Sequence, residues 1–377
     1  MPAAPDLLCL SRADAEQRLG EHFAARGQPA YRVGQVTEWL YEKMVSEVED
    51  MTDLPLSERK ALGAAFLIGD PLVETVSESE DGTVKHLWRL DEGEVVESVL
   101  IPAAGRLTLC ISSQAGCAMG CRFCATGWSG FGRQLTTGEI VGQYRRSVTW
   151  ARERDMGEVT NLVFMGMGEP LTNRKAVFPA LSLLNGAYGV GARRITVSTV
   201  GVLPGIEALA ARPEQFRLAL SLHAPVSSLR AEIIPLEKRY PLPRLMEALE
   251  RFAAKGGRRI TFEYTMIRGV NDSPELVEPL AGLASRVEAF VNLIPFNPIP
   301  FVDWKPSPPE RVQAFKEGLS ERGVAVQVRE PRGRDIDAAC GQLRASRRPD
   351  LVGVGGHLGR KRPLSGSGSR SGSPGSL

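Results

Sequence analysis

The stretch that decides the fold is Cys117-Ala-Met-Gly-Cys121-Arg-Phe-Cys124, in which three thiols follow a C-x3-C-x2-C spacing. A structural zinc site normally has four ligands, and no fourth cysteine or histidine lies nearby; the nearest extra thiol, Cys110, lies on a predicted strand before the loop. Three thiolates on a short loop suit a 4Fe-4S cluster with one iron open to a non-protein ligand. On spacing alone, a zinc site, a closed cluster and incidental cysteines remain alternatives.

An open iron can chelate the amino and carboxylate groups of S-adenosylmethionine and reduce its sulfonium, which produces a 5′-deoxyadenosyl radical. The whole chain contains six cysteines among 377 residues. That density is too low for a secreted scaffold held together by disulfides. In a reducing compartment, a tight cysteine group indicates metal or redox chemistry.

The composition is that of a globular protein, with 43% hydrophobic and 24% charged residues. This excludes a mainly disordered, collagenous or fibrous chain. The formal net charge of +2 does not by itself indicate a nucleic-acid partner. No apolar run approaches the roughly 20 residues that cross a bilayer, and Met1 to Arg12 lacks the features of a signal peptide. We therefore expect a cytoplasmic protein without a membrane partner.

The chain divides into four regions by pattern. Residues 1–75 are predicted to be helical, with Arg12 to Ala25 and Val33 to Met44 as candidate helices. Residues 76–109 are a β-rich extension that leads into the cysteine segment, and residues 346–377 are a Gly/Ser-rich basic tail predicted to be disordered. In residues 110–345, strand-like runs alternate with helix-like stretches, which indicates an α/β fold with a parallel sheet and functional groups after the strands.

Five motifs in order resemble those of the RlmN/Cfr family, within the radical S-adenosylmethionine superfamily. The first extends from Cys110 through Cys124. The others are Met165-Gly-Met-Gly168-Glu169-Pro170, Ser221-Leu-His223-Ala-Pro, Asn292-Leu-Ile-Pro-Phe-Asn297-Pro and Arg332-Gly-Arg-Asp-Ile-Asp-Ala-Ala-Cys340-Gly-Gln-Leu. The resemblance covers about Tyr31 to Leu343. It implies an incomplete (βα)6 radical-SAM barrel preceded by a small helical, accessory RNA-binding domain.

The resemblance also implies the cofactors and their ligands. Cys117, Cys121 and Cys124 would hold a 4Fe-4S cluster, and two S-adenosylmethionine molecules would be used per turnover. Seven residues would bind S-adenosylmethionine: Gly168, Glu169, Ser198, Ser221, Leu222, His223 and Asn297. Without the family, a Gly-rich turn is more often only a turn, and a lone histidine is more often structural.

Cys340 and Cys110 would carry out the chemistry, although without the family they could be two buried hydrophobic residues. Adenine carbon is not nucleophilic, so the resemblance implies that Cys340 first accepts a methyl group, which a radical then activates. A general base would remove the adduct proton, and Cys110 would release the product as a Cys110 to Cys340 disulfide. We assign the base to Glu97, with Glu94 as the nearest rival.

The resemblance implies adenine carbon 2 in 23S rRNA and tRNA as the target, with an unidentified electron donor. The carbon-8 branch is the alternative. From other classes, a glycyl-radical activase would not need Cys110 or Cys340, and a non-enzymatic metal- or RNA-binding module would not cleave S-adenosylmethionine. Candidate RNA-contacting cations are Arg122, Arg133, Arg145, Arg146, Arg193, Arg194, Arg329, Arg332, Arg334, Arg347 and Arg348.

Overall fold

The computed structural model describes residues 4–91, 93–256 and 259–344. The predicted tail, residues 346–377, therefore lies outside the described residues. Within those ranges, no helix is both long and apolar enough to cross a membrane.

The amino-terminal region contains three helices, α1 (Arg12–Ala25), α2 (Tyr31–Glu38) and α3 (Leu56–Ala65). The Ser11 hydroxyl caps α1 by accepting a hydrogen bond from the Asp14 amide at 3.1 Å. Ala15, Leu19 and Phe23 are spaced by four residues and are buried, as expected for an amphipathic helix. The second predicted helix is also confirmed, since α2 continues as a π-helical turn, Trp39–Lys43.

In the described part of the chain, ten strands form one mixed sheet, and two more form a hairpin. The strands are β1 (Leu72–Glu78), β2 (Val84–Arg89), β3 (Val95–Ala103), β4 (Arg106–Cys110), β5 (Gln114–Gly116), β6 (Phe131–Gln134), β7 (Val159–Phe164), β8 (Ile195–Thr199), β9 (Arg217–Ser221), β10 (Ile260–Met266), β11 (Phe290–Pro295) and β12 (Val326–Val328). The antiparallel hairpin of β5 and β6 encloses the cysteine segment.

The large sheet has the order β1-β2-β3-β4-β7-β8-β9-β10-β11-β12. Strands β1 to β4 pair antiparallel, whereas β4 and all later strands pair parallel. In the described part of the chain, β1 and β12 are the two edges, so the barrel is incomplete, as predicted. The prediction that residues 1–75 are helical is wrong at its end, because residues 72–75 begin strand β1. Leu72 and Val73 are 59% and 40% exposed, so this edge strand lacks clear alternation.

Helices connect the parallel strands, as βα units require. They are α5 (Thr137–Arg152), α6 (Arg174–Gly186), α7 (Leu203–Ala211), α8 (Ser227–Ile233), α9 (Leu242–Ala253), α10 (Val277–Arg286) and α11 (Pro309–Glu321). The short α4 (Ala125–Trp128) lies between β5 and β6. Buried apolar side chains on these strands, such as Leu162, Leu218 and Val291, belong to the core, and in parallel βα folds the functional groups lie at the strands' carboxyl ends.

Arg145 on α5 joins the helical region to the barrel. Its side chain is fully buried and forms two hydrogen bonds to Asp70, at 2.9 and 3.0 Å. It also donates to the backbone carbonyls of Leu40 and Val45. The prediction that Arg145 contacts RNA is therefore wrong, because its charge is already compensated inside the protein.

Candidate active site

A single cleft at the carboxyl ends of the parallel strands brings together most of the predicted site. It is lined by ten predicted residues: Cys117, Cys121, Cys124, Gly168, Glu169, Ser198, Ser221, His223, Asn297 and Cys340. Three others do not line it. Leu222 is fully buried in the core, and Glu97 and Cys110 lie on the adjoining strands β3 and β4.

Residues 117–127, here called the cysteine loop, are held in place by the β5–β6 hairpin. The Cys117 amide donates to the Gly130 carbonyl at 2.8 Å, and the Cys124 amide donates to the Cys121 carbonyl at 3.2 Å. Burial raises the pKa of the Cys117 thiol to about 12, and burial together with the other two thiols raises the pKa of Cys121. Such thiols ionise readily only beside a positively charged partner such as iron.

Three cysteine thiols on one short loop are a donor set that suits an iron-sulfur cluster. Among residues 4–91, 93–256 and 259–344, no three Cys, His, Asp or Glu side chains converge on one point as single-ion ligands. In a 4Fe-4S cluster each thiolate binds a different iron, so the three sulfur atoms need not converge. The cysteine loop therefore suits the cluster.

Gly168 and Glu169 form a tight turn after β7. Gly168 has a φ of +95°, and a Cβ atom there would lie 2.5 Å from the Gln114 Cβ, so only glycine fits. The buried Glu169 carboxylate accepts hydrogen bonds from the amides of Leu171 at 3.1 Å and Val200 at 2.9 Å. Burial raises the pKa of Glu169 to about 7. A cationic ligand in the cleft would favour its ionised form.

His223 presents one unsatisfied ring nitrogen in the cleft. Its Nδ1 accepts a hydrogen bond from the Thr265 amide at 2.9 Å, so in the neutral ring the proton lies on Nε2. The buried Nε2 has no partner among the described residues. Burial lowers the pKa of His223 to about 3, so the ring is neutral. It can therefore donate one hydrogen bond to a ligand.

The backbone at His223 has a φ of +55°, which is unfavourable for residues other than glycine. Asn271 holds this turn. Its Nδ2 donates to the carbonyls of His223 at 2.7 Å and Thr265 at 2.6 Å, and its Oδ1 accepts from the Ile267 amide at 2.7 Å. Asn271 is fully buried. These bonds fix the direction in which the imidazole points.

Two cleft residues were not predicted as cofactor ligands or catalytic groups. Glu263 on β10 lies opposite Ser221 in the parallel register and accepts a hydrogen bond from Asn292 at 2.9 Å. Its buried Oε2 has no partner in the described chain. A carboxylate within the apolar strand run was the available signal. Arg329, predicted as a candidate RNA contact, lines the cleft, where Cys340 raises its pKa, burial lowers it and Glu263 raises it.

Cys340 lies on a loop of residues 333–344, here called the Cys340 loop, whose inner end contacts the cysteine loop. Asn297 Nδ2 donates to the Cys340 carbonyl at 3.1 Å. The Ala125 amide donates to the Gly341 carbonyl at 2.7 Å, and Thr126 Oγ1 donates to the Leu343 carbonyl at 2.6 Å. The predicted cofactor ligand Asn297 thus also positions the predicted nucleophile.

The outer end of the Cys340 loop is fastened to the β1–β2 turn. Ser79 Oγ donates to Asp335 Oδ1 at 2.6 Å, and the Gly333 amide donates to Asp81 Oδ2 at 3.0 Å. Lys85 Nζ on β2 donates to the Asp337 carbonyl at 3.3 Å. The β-rich extension therefore supports the chain segment that carries Cys340.

Glu97 and Cys110 share one face of the β3–β4 pair. Val99 lies opposite Cys110 in this antiparallel register, so Glu97, two residues away, is on the same face. Burial raises the pKa of Glu97, an effect opposed by Lys85, whose Nζ lies 3.2 Å from Glu97 Oε1. Burial, and then the nearby Cys340, raise the pKa of Cys110 to about 12. Both thiols are unpaired.

Two protein families match separate parts of the chain, one in the barrel and one in the amino-terminal helical region. Residues 111–278 match the radical SAM superfamily. Residues 10–68 match the family described as the ribosomal RNA large subunit methyltransferase N-terminal domain. The second match covers all three amino-terminal helices.

Curated proteins and a solved structure match nearly the whole chain. A probable dual-specificity RNA methyltransferase RlmN from Gemmatimonas aurantiaca is 50% identical over 368 residues, covering 97% of each chain. The dual-specificity RNA methyltransferase RlmN from Alkalilimnicola ehrlichii is 44% identical over 87% of this chain and 91% of its own. The crystal structure of a radical SAM methyltransferase from Sphaerobacter thermophilus matches with a TM-score of 0.86 and 43% identity, covering 90% of this chain and 99% of the other.

Proposed function

The chain belongs to the RlmN family of radical S-adenosylmethionine RNA methyltransferases, and from this premise we propose that it methylates carbon 2 of adenine. The proposed substrates are the peptidyl-transferase region of 23S rRNA and the anticodon loops of tRNA. One observation carries the proposal: Cys340 lines the same cleft as the three cluster cysteines. Cys110, on the adjoining strand β4, is near enough to Cys340 for that thiol to raise its pKa.

The cleft residues are proposed to hold two kinds of cofactor. Cys117, Cys121 and Cys124 would bind a 4Fe-4S cluster, which with S-adenosylmethionine supplies a one-electron reduction and a 5′-deoxyadenosyl radical. The Glu169 carboxylate suits the ammonium group of S-adenosylmethionine, and the His223 Nε2 proton suits an acceptor on the same molecule. Gly168, Ser198, Ser221, Leu222 and Asn297 would complete this pocket, Leu222 through its backbone because its side chain is buried in the core.

Cys340 is proposed to carry the methyl group. Its thiolate would attack the methyl carbon of one S-adenosylmethionine, so that a carbon-sulfur bond forms to Cys340 and S-adenosylhomocysteine leaves. A second S-adenosylmethionine would be used to remove one hydrogen atom from this S-methyl group. The resulting methylene radical on the Cys340 sulfur would then bond to adenine carbon 2, which joins the RNA covalently to Cys340.

Glu97 and Cys110 are proposed to release the product. Glu97, as an ionised carboxylate, would accept the proton from carbon 2, and the adduct radical would return one electron to the oxidised cluster. The Cys110 thiolate would attack the Cys340 sulfur and break its bond to the methylene carbon, which leaves with the electron pair and takes up a proton to become the methyl group. A Cys110 to Cys340 disulfide remains. A two-electron reduction of this disulfide by an unidentified donor would restore both thiols.

The experiment is mass spectrometry of adenosines from 23S rRNA and tRNA after anaerobic incubation with reconstituted enzyme, S-adenosylmethionine and reductant. Wild type should form 2-methyladenosine, and Cys340→Ala should form none. Formation of 8-methyladenosine would show that the methylated atom is carbon 8 and not carbon 2. Cleavage of S-adenosylmethionine without any methylated adenosine would contradict the RNA substrate, and methylation by Cys340→Ala would contradict the assigned nucleophile.

A further inference from the structure

Two exposed aromatic side chains immediately follow the cysteine loop. Trp128 is 39% exposed and Phe131 is 46% exposed. Thr126 and Gly127 line the cleft, so Trp128 stands at its rim. Grouped exposed aromatic side chains mark interaction sites more often than isolated ones do. The cofactor and methyl-transfer roles proposed above do not use these side chains.

Trp128 is held in a flat arrangement with a second aromatic ring. Its indole is nearly parallel to the ring of Phe301, with an interplanar angle of 11° and centroids 5.8 Å apart. The indole Nε1 donates to the Arg122 carbonyl at 3.2 Å. Phe301 belongs to the segment after β11, which places it at the same edge of the sheet as the cleft.

A cation adjoins these rings. The exposed guanidinium of Arg122 lies over Trp304, 5.2 Å from the ring centroid. Its other contact is with the Glu232 backbone carbonyl at 3.5 Å, so in the described part of the chain no carboxylate neutralises its charge. We call Trp128, Phe301, Trp304 and Arg122 the rim platform. Flat rings beside an unneutralised guanidinium match the two parts of a nucleotide, its base and its phosphate.

We propose that the rim platform binds an unpaired nucleotide adjacent to the target adenine, with its base stacked on Trp128 and its phosphate near Arg122. This inference rests on the proposed RNA substrate. A target adenine must leave its own stack to enter the cleft, so its neighbour loses a stacking partner. The platform replaces that partner at the place where the RNA strand enters, and it tolerates any base identity because every base has a π-face.

The test uses an RNA stem-loop with 2-aminopurine next to the target adenine. Wild type should quench the 2-aminopurine fluorescence on binding, and Trp128→Ala should weaken both the quenching and the affinity, raising Kd about 10-fold. Phe301→Ala should act in the same direction, whereas Trp128→Phe, which keeps a ring, should bind nearly as wild type does. Leu72→Ala, which removes an exposed apolar side chain from β1, is the matched control and should not change Kd.

A second readout separates RNA binding from damage to the cysteine loop. Iron content and S-methylation of Cys340, which needs no RNA, should stay at wild-type levels in Trp128→Ala. If iron is lost in Trp128→Ala, the lost hydrogen bond to the Arg122 carbonyl explains it, and Phe301→Ala, which keeps that bond, decides. Unchanged affinity and quenching in both alanine variants would overturn the platform while wild-type methylation upheld the proposed function. If wild type neither bound nor methylated RNA, both proposals would fall.

Discussion

The wall of the cleft and the Cys340 loop differ in where their stabilising hydrogen bonds lie. The wall at the ends of β9 and β10 is fixed from within, where fully buried Asn271 makes three hydrogen bonds around His223. The Cys340 loop is fastened at its two ends, to the cysteine loop and to the β1–β2 turn. This difference fits the proposed function, in which a preorganised pocket binds the cofactor and a separately anchored loop carries the methyl group. In that proposal the Cys340 thiol reacts with S-adenosylmethionine, adenine and Cys110 in turn.

The largest expected effect is on the carrier side. In Cys110→Ala, Cys340 should still acquire its methyl group and join the RNA, but no thiol can release it. Methylated nucleoside should fall about 1,000-fold or more, and a covalent RNA-protein adduct should accumulate. Denaturing gel electrophoresis with labelled RNA detects the adduct. Cys9→Ala, which changes an exposed cysteine outside the cleft, should retain wild-type yield. Normal product release by Cys110→Ala would exclude the resolving role.

The next effect tests the wall. Asn271→Leu leaves the buried carbonyls of His223 and Thr265 without their donor, which should lower the free energy of unfolding by about 2–4 kcal/mol. Affinity for S-adenosylmethionine should fall as well, because His223 loses its fixed direction. Denaturant unfolding and equilibrium binding measure the two quantities. Asn185→Ala on helix α6, which removes one hydrogen bond to the Val190 carbonyl, is the control. Unchanged affinity in Asn271→Leu would show that the wall is not preorganised by this residue.

The pH dependence of the reaction sharpens the role of Glu97. Because a base must be ionised, kcat/KM for RNA should rise with pH through the raised pKa of Glu97. Lys85 favours the ionised carboxylate, so Lys85→Met should raise the pKa of Glu97 further and move the acidic limb of the profile to higher pH. Lys85→Arg should keep the limb near its wild-type position. A limb that stays fixed, or moves to lower pH, would argue against Glu97 as the base.

The smallest effect concerns the outer fastening of the Cys340 loop. Asp335→Ala removes the acceptor of the Ser79 hydroxyl and of the Glu80 amide. Since this contact is at the surface, the unfolding midpoint should hardly change, but the rate of Cys340 S-methylation should fall. Quenched-flow mass spectrometry of the Cys340 peptide measures that rate, with Ser79→Ala as the matched variant. Equal rates in all three proteins would mean that the outer fastening does not position Cys340.

The parts of the fold that could be predicted are those encoded by local periodicity. Helix α1 has the predicted bounds, and the parallel strands follow the apolar runs. Strand β1 and the β5–β6 hairpin were missed, because an exposed edge strand and a short Gly-rich strand carry weak patterns. Their existence depends on pairing partners elsewhere in the chain.

The same distinction applies to the site. The cluster spacing and the strand-end motifs bring ten predicted residues to one cleft, since carboxyl ends of parallel strands meet at one edge. Asn271 could not be singled out, because its role depends on the left-handed turn at His223. The sequence around Arg145 does not distinguish it from a surface arginine, because its burial against Asp70 depends on tertiary contacts. Residues that act through tertiary contacts have no local signature.

The most direct test of the methyl carrier uses S-adenosylmethionine with a trideuterated methyl group. We expect a trideuteriomethyl group on Cys340 and a product adenosine that keeps only two of the three deuterium atoms, because one is removed while the carbon is bound to Cys340. Mass spectrometry of the Cys340 peptide and of the released nucleoside measures both. A product that retains all three deuterium atoms, or that forms in Cys340→Ala, would show direct transfer and contradict the account.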